Sequence, residues 1–336
     1  MTNKEQKKGI TGTTLKIIAI VTMFIDHFAA ILVLNYLLHV IPNDFQSAEE
    51  EKAWFIDHPS IATLNTVYVV MRLIGRFAFP LFAFLIVEGF QHTRSVKKYA
   101  INLGLFALIS ELPFNIGFSG KLFDPDDQNV FFTLFFGLLC ITCIRYFAET
   151  KRDCEKFRPL FYLAAVLSGP FMAFMVFHDS MIGHIMSLMK IKMEVFMFYA
   201  VGEAAVVCTI LFLFLGRKWD TAQRNTFAGI ILSLVIFCAL ADFLRTDYGG
   251  CGVLTIAILY LLRRHKMRAF AVACLEITLF SVAEVTAFLM LIPVAFYNGK
   301  RGAKINKYVF YAFYPVHIGL LYLITLLLGF ATFAFR

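Results

Sequence analysis

Charged residues are scarce in this sequence. Asp, Glu, Lys and Arg together make up 16% of the 336 residues, whereas hydrophobic residues make up 60%. Soluble domains are about 25% charged and about 45–50% apolar. A soluble core of this length cannot bury so much apolar surface, and apolar segments long enough to cross a bilayer recur from Leu15 onward. The composition therefore excludes a soluble globular protein and indicates an all-α, polytopic integral membrane protein.

Cysteines form no metal-binding pattern. Most of the seven lie inside apolar segments, and Cys140 and Cys143 form a lone C-x-x-C. A structural zinc site needs two further ligands, and none stands nearby. We therefore interpret the cysteines as small apolar residues and predict no metal site. His178, Asp179 and His184 have a spacing that a metal site accepts, but this signal is weak and we assign them no role.

Linkers, low-complexity stretches and clear internal repeats are absent as well, so we predict one transmembrane domain over residues 1–336. The first apolar segment is too long for a signal peptide and carries Asp26 and His27 at its centre. We predict about ten spans of roughly 20 residues each. They cover residues 14–38, 64–90, 98–118, 129–148, 159–178, 194–215, 225–244, 249–263, 269–296 and 307–333.

The loops between these spans are alternately basic and acidic, which predicts a cytoplasmic N-terminus by the positive-inside rule. We interpret the net charge of +8 as this topological signal and, without a nucleic-acid motif, predict no nucleic-acid partner. The basic loops contain Lys4, Lys7, Lys8 and Lys16, then Arg94, Lys97 and Lys98, then Lys151, Arg152, Lys156 and Arg158, and later Arg217, Lys218, Arg224, Arg263, Arg264, Lys266 and Arg268.

One basic loop breaks the alternation. Residues 297–306 fall outside the cell if 269–296 is a single span, although Lys300, Arg301, Lys304 and Lys307 are basic. Alternatively, 269–296 is a helical hairpin or a broken re-entrant pair with its hinge near 281–284, a structure that is tolerated when protein or water covers it. The charge favours this second topology and a cytoplasmic loop.

Ionisable residues deep in a span are costly, so each is a candidate functional residue. Asp26, His27, Arg76, Glu111 and His317 each lie about ten to thirteen residues from a span end, or roughly 15–20 Å, which predicts one shared depth. His27 is the candidate general base because imidazole exchanges protons near pH 7. Three alternatives remain open. Arg76 and Glu111 form only a structural ion pair, His317 is a packing histidine, or Asp26 points about 100° away from His27 and pairs with another helix.

A second candidate site follows the second span. His92, Arg94, Lys97 and Lys98 form a basic cluster at the predicted inner mouth of the polar site. Such a cluster suits the phosphates of a nucleotide-like donor, and topology signalling alone is the alternative explanation.

Several blocks in order along the chain resemble the TraX family of bacterial membrane proteins, which is named for pilin acetylation in conjugation systems. No block is decisive alone, but the ordered set is specific and covers nearly the whole chain. The blocks are LKIIAIVTMFIDHFAAI (15–31), GRFAFPLFAFLIVEGFQHTRSVKKYA (75–100), SELPFN (110–115), NVFFTLFFGLL (129–139), DYGGCGVLTI (247–256), YNGKRG (297–302) and YAFYPVHIGLLYL (311–323).

The TraX family looks related to the transmembrane acyltransferases, in which a His on an early helix serves acyl transfer from cytoplasmic acetyl-CoA. The resemblance therefore implies an acetyl-CoA-dependent O- or N-acetyltransferase of the bacterial inner membrane. His27 would act as base and His317 would protonate the leaving thiolate, or an acetyl-histidine would form. Arg76 would stabilise the oxyanion, and Glu111 would orient Arg76 or an imidazole. The resemblance does not specify the acceptor, for which a cell-surface glycan, a lipid and a pilin-like protein are the candidates.

The rival interpretation is a proton-coupled transporter or flippase that uses the same buried His, Asp, Glu and Arg residues. Carriers often contain internal repeats, and we find none in this sequence.

Overall fold

The structure is a computed structural model that describes residues 9–177, 183, 185 and 193–331. Every named regular element in these ranges is helical, which confirms the predicted all-α class. Three lysines of the first basic segment, Lys4, Lys7 and Lys8, and the group of His178, Asp179 and His184 lie outside the described residues.

The helices follow one another through short loops. In chain order they are α1 (Gly12–Val40), α2 (Ala48–Asp57), α3 (Pro59–Gly75), α4 (Ala78–His92), α5 (Val96–Ser119), α6 (Val130–Arg145), α7 (Arg158–Phe177), α8 (Met193–Gly216), α9 (Thr221–Phe243), α10 (Gly249–Leu261), α11 (Lys266–Phe280), a 3₁₀ segment (Val282–Met290), α12 (Leu291–Ala295) and α13 (Lys307–Leu327).

Eight helical stretches within the described residues are long and apolar enough to cross a membrane, with α3 and α4 counted as one stretch. This confirms the polytopic helical bundle. The remaining two predicted spans are shorter than expected. The predicted span 249–263 contains the 13-residue helix α10 (Gly249–Leu261), and 269–296 is interrupted at Ser281, whose backbone is extended. The break lies at the hinge that the sequence allowed for.

Contacts between residues divide the chain into two compact units, each built from segments that are not consecutive. The first unit comprises residues 1–85, 105–129 and 286–336, and the second comprises 86–104 and 130–285. The prediction of a single domain over 1–336 stays a prediction.

Within the first unit, α1 and α13 run side by side in the same direction. The contacts proceed in order along both helices, from Lys16 over the Phe310 ring to His27 beside His317. Farther along, the ring of Tyr36 contacts that of Phe330. The two helices therefore begin on the same side of the membrane.

The loop before α13 is attached to the start of α1. Backbone N–H groups of Gly12 and Thr13 donate to the carbonyls of Lys300 and Arg301, each at 2.8 Å. These are N–H groups that a helix start leaves without an internal partner. Gly302 permits the close approach, because it has a φ of +85° and a Cβ there would collide with Thr11. The loop 297–306 thus lies on the same side as the beginning of α1, a point that the sequence left open.

Two local irregularities shape the helices that carry the candidate residues. Helix α1 changes to π-helix over Phe28–Val33, immediately after His27, and such bulges often mark functional sites. The helical conformation is interrupted between Gly75, the last residue of α3, and Ala78, the first residue of α4. Pro80 accounts for this break, because proline has no N–H to donate to the Arg76 carbonyl four residues earlier.

Candidate active site

The centre of the candidate site is a pair of histidines. His27 lies near the middle of α1 and His317 near the middle of α13, and both are at least nine-tenths buried. Nδ1 of His27 is 2.6 Å from Nε2 of His317. The two ring planes differ by only 5°, with their centroids 4.8 Å apart. The rings therefore lie in one plane and meet edge to edge, which is the geometry of a hydrogen bond.

The partners of His317 fix the direction of this hydrogen bond. Nδ1 of His317 lies 2.6 Å from the carbonyl oxygen of Phe313. A carbonyl only accepts, so Nδ1 must carry a proton, and Nε2 of the neutral ring is then an acceptor. It follows that His27 donates from its own Nδ1. The lone pair of neutral His27 is therefore on Nε2, which makes no hydrogen bond within the described residues.

Aromatic rings surround His27. Phe118 and Tyr314 contact the imidazole edge to face, at centroid distances of 5.4 and 5.5 Å. Their rings restrict the orientation of the imidazole and keep bulk water away from it. A base held in one orientation in a dry site needs little reorganisation when it takes a proton.

Beside His27, Asp26 forms ion pairs with two arginines of the next long span. Its carboxylate lies 2.7 Å from Nη1 of Arg72 and 3.6 Å from Nη2 of Arg76. The approach depends on Gly75, because a Cβ at this position would lie 2.1 Å from an Asp26 oxygen. Asp26 thus pairs with another helix, as one of the sequence alternatives proposed.

Glu111 belongs to a different group of contacts. The Asn129 side chain donates to Oε2 of Glu111 at 2.5 Å and to the carbonyl of Ala107 at 2.8 Å. Within the described residues Glu111 has no ion pair closer than 4 Å. The ion pair between Arg76 and Glu111 that the sequence suggested is therefore not formed, because Arg76 is directed toward Asp26.

The predicted phosphate-binding residues belong to the second unit. His92 ends α4, where its Nδ1 contacts the Glu88 carbonyl at 2.8 Å. Lys97 and Lys98 lie in the first turn of α5, and Arg94 is in the intervening loop. All four side chains are on the surface. Their role in binding stays a prediction.

Arg72 is the residue that sequence reasoning missed. It lies four residues before Arg76, so both face the same side of α3 and its extension. That spacing, inside an apolar run, was the signal that could have identified it. The Arg72 side chain is 31% exposed and has one hydrogen-bonding partner, Asp26, in the described part of the chain. Several of its five N–H donors therefore remain available.

No group of three or more His, Cys, Asp or Glu residues with a metal-binding arrangement occurs in the described residues. His178, Asp179 and His184, to which the sequence assigned no role, are outside them.

Comparisons with known proteins identify the family. A family model described as TraX protein matches residues 11–189 and 185–325. The chain is also 26% identical over 282 residues to a protein of Dichelobacter nodosus described as "Probable fimbrial assembly protein FimC, serogroup H1". That match covers 80% of this chain and 89% of the relative. No solved structure gives a significant match. The family match confirms the resemblance drawn from the ordered sequence blocks.

Proposed function

This chain belongs to the TraX family, and from that premise we propose that it is a membrane-embedded acetyltransferase. It takes the acetyl group from cytoplasmic acetyl-CoA and transfers it to an amine or hydroxyl of a membrane-associated or extracytoplasmic acceptor. The protein lies in the bacterial inner membrane with its N-terminus in the cytoplasm, as the basic loops favour.

The observation that carries this proposal is the hydrogen-bonded pair of His27 and His317 deep in a membrane bundle. A histidine whose Nδ1–H is held by a fixed acceptor and whose Nε2 is unprotonated is arranged as a general base. Such a step contributes typically about 10²–10⁴-fold to the rate. A packing histidine has no need of this arrangement.

In the proposed reaction Nε2 of His27 takes the proton from the acceptor as its nitrogen or oxygen bonds to the thioester carbon. His317 accepts the hydrogen bond from Nδ1 and so stabilises the imidazolium that forms. The C–S bond then breaks, and His27 returns its proton to the thiolate of CoA. This route uses His317 as a positioning residue, because both of its ring nitrogens are already engaged.

Arg72 and Arg76 are the candidate donors to the tetrahedral oxyanion. Asp26, the chain neighbour of His27, fixes both guanidinium groups, and Arg72 has N–H groups without a partner in the described residues. Preorganised donors at a developing negative charge are worth about 2.7–4 kcal/mol each in well-studied enzymes. In this scheme Glu111 positions Asn129 rather than an arginine.

The donor and the acceptor are proposed from the surface charge and from the name of a relative. We propose that His92, Arg94, Lys97 and Lys98 attract the phosphates of acetyl-CoA to the cytoplasmic face. The relative in Dichelobacter nodosus is named as a fimbrial assembly protein, which supports a pilin-like or other cell-surface acceptor. A surface glycan or a lipid offers the same nucleophilic groups.

Transfer of radiolabelled acetyl from acetyl-CoA to membrane material tests the proposal. Membranes that contain the wild-type chain should acquire label, and His27→Gln should lower the initial rate about 10²-fold or more. The matched control is His39→Gln, which changes an exposed histidine of the same helix and should leave the rate unchanged.

Two outcomes would contradict the proposal. An undiminished rate with folded His27→Gln would exclude His27 as the base. Absence of CoA-dependent labelling, together with substrate movement across vesicles, would support the transporter instead. Because His27 is buried, the thermal unfolding midpoint of each purified variant should be measured alongside to separate lost activity from lost folding.

A further inference from the structure

A second basic group, not among the residues predicted from sequence to bind phosphate, lies where α1 and α13 begin. We call it the basic rim. It consists of Lys16, Lys300, Arg301, Lys304 and Lys307. Four of these side chains are exposed, and Lys16 is half-buried. All five belong to the first unit, which also contains the histidine pair.

The attachment of the loop to α1 holds the rim together. Besides the two backbone hydrogen bonds from Gly12 and Thr13, the Thr13 hydroxyl donates to the carbonyls of Arg301 and Ala303 at 2.8 and 2.9 Å. These bonds satisfy the start of α1 with loop carbonyls. The positive charge at this place therefore comes from the side chains of the rim, which the attached loop keeps beside the helix.

The charge of the rim is not neutralised by the chain itself. Within the described residues none of the five cations has a carboxylate within 4 Å, and two of them lie over aromatic rings instead. Lys16 and Arg301 are close enough for their charges to repel each other. Clustering like charges is unfavourable unless an anion is brought to them.

The rim is aligned with the histidine pair. Lys16 is eleven residues before His27 on α1, and Lys307 is ten residues before His317 on α13. At 1.5 Å per residue, the histidines lie about 15–17 Å deeper along two parallel helices. This separation is comparable with the extended phosphopantetheine arm that joins the phosphates of CoA to its sulfur.

We infer that the basic rim holds the phosphate groups of the acyl donor during transfer, so that the pantetheine arm extends along α1 and α13 to the histidine pair. The exposed group of His92, Arg94, Lys97 and Lys98 then only attracts the anionic donor to the cytoplasmic face. The inference rests on the proposed function, because the CoA thioester proposed there as donor needs both a phosphate site and this reach. Topology alone requires cytoplasmic cations, but it does not require five that have no carboxylate partner in the described residues and that lie where the two histidine-bearing helices begin.

Binding of CoA to the purified full-length protein in nanodiscs tests the inference without an acceptor. Lys300→Gln combined with Arg301→Gln should raise the Kd for CoA at least about tenfold, since both charged partners of the phosphates would be lost. Pantetheine, which has no phosphate, should bind weakly and equally to wild type and variant. Added salt should weaken CoA binding to the wild type.

The matched control is Arg217→Gln with Lys218→Gln, an exposed basic pair between α8 and α9, which should not change the Kd. An unchanged Kd in the Lys300 and Arg301 variant, or an equal loss in the control, overturns the inference while acetyl transfer by the wild type leaves the proposed function standing. A wild type that neither binds CoA nor transfers acetyl overturns both.

Discussion

At the scale of the residue, the hydrogen bond between His27 and His317 defines what each ring can do. Nε2 of His27 has no hydrogen-bonding partner among the described residues, whereas both nitrogens of His317 are engaged by His27 and by the Phe313 carbonyl. A residue that acts through another should be replaceable by a side chain that makes the same hydrogen bond. A residue that takes the proton itself should not.

This difference predicts distinct effects at position 317. His317→Gln, whose amide oxygen can accept the hydrogen bond from His27, should retain more activity than His317→Leu, which cannot accept. Loss of an acceptor for a buried donor costs about 1–3 kcal/mol, or roughly 5- to 150-fold. The comparison is made on the rate of acetyl transfer and its pH dependence. Equal rates in the two variants would contradict the positioning role. They would mean that the side chain at position 317 only fills space and that its hydrogen bond to His27 does not affect the rate.

The sequence could indicate how deep each charged residue lies, but not which way it points. Depth follows from counting residues along a helix, and this count put His27 and His317 at a similar depth. The structure brings their two rings into contact. Glu111 shows the limit of counting. Its carboxylate binds Asn129 rather than Arg76, because the direction around a helix depends on which helices pack together.

At the scale of the element, the approach of α1 to the end of α3 depends on the absence of a side chain at Gly75. A Cβ at this position would lie 2.4 Å from the Cβ of Asp26 as well as touching its carboxylate. Rotation of the carboxylate alone cannot relieve the contact, since the Cβ belongs to the rigid part of the residue. The two helices would have to separate.

Gly75→Ala should therefore destabilise the protein by about 1–3 kcal/mol, the usual cost of overpacking, and disturb the ion pairs of Asp26. The measurement is the unfolding midpoint in detergent together with the acetyl-transfer rate. Gly319→Ala is the control, because nothing lies within 4 Å of a Cβ added there. If Gly75→Ala were as stable and active as this control, the close approach would not be needed.

At the scale of the whole molecule, the sequence predicted the class and the family, whereas a count of spans was less reliable. Eight long helical stretches were recognisable because an apolar run of about 20 residues satisfies all its backbone hydrogen bonds in lipid by forming an α-helix. The region 249–296 was harder, since the break at Ser281 divides one apolar run into pieces too short to span alone. The apolar pattern does not specify whether such pieces cross or return, and only the basic residues of the loop 297–306 favoured a return.

The contact between the start of α1 and the loop 297–306 decides this question of topology. Gly12 and Lys300 share a hydrogen bond of 2.8 Å, so an even number of crossings must separate them. A reporter fused after Lys304 should therefore give the same result as one fused at the N-terminus: fluorescence from a fluorescent protein and no alkaline phosphatase activity, both signs of the cytoplasm. A fusion after Leu244, which follows the seventh long span, should give the opposite result. Phosphatase activity after Lys304 would place the loop outside, separate it from the start of α1 and remove the basic rim from the donor's side of the membrane.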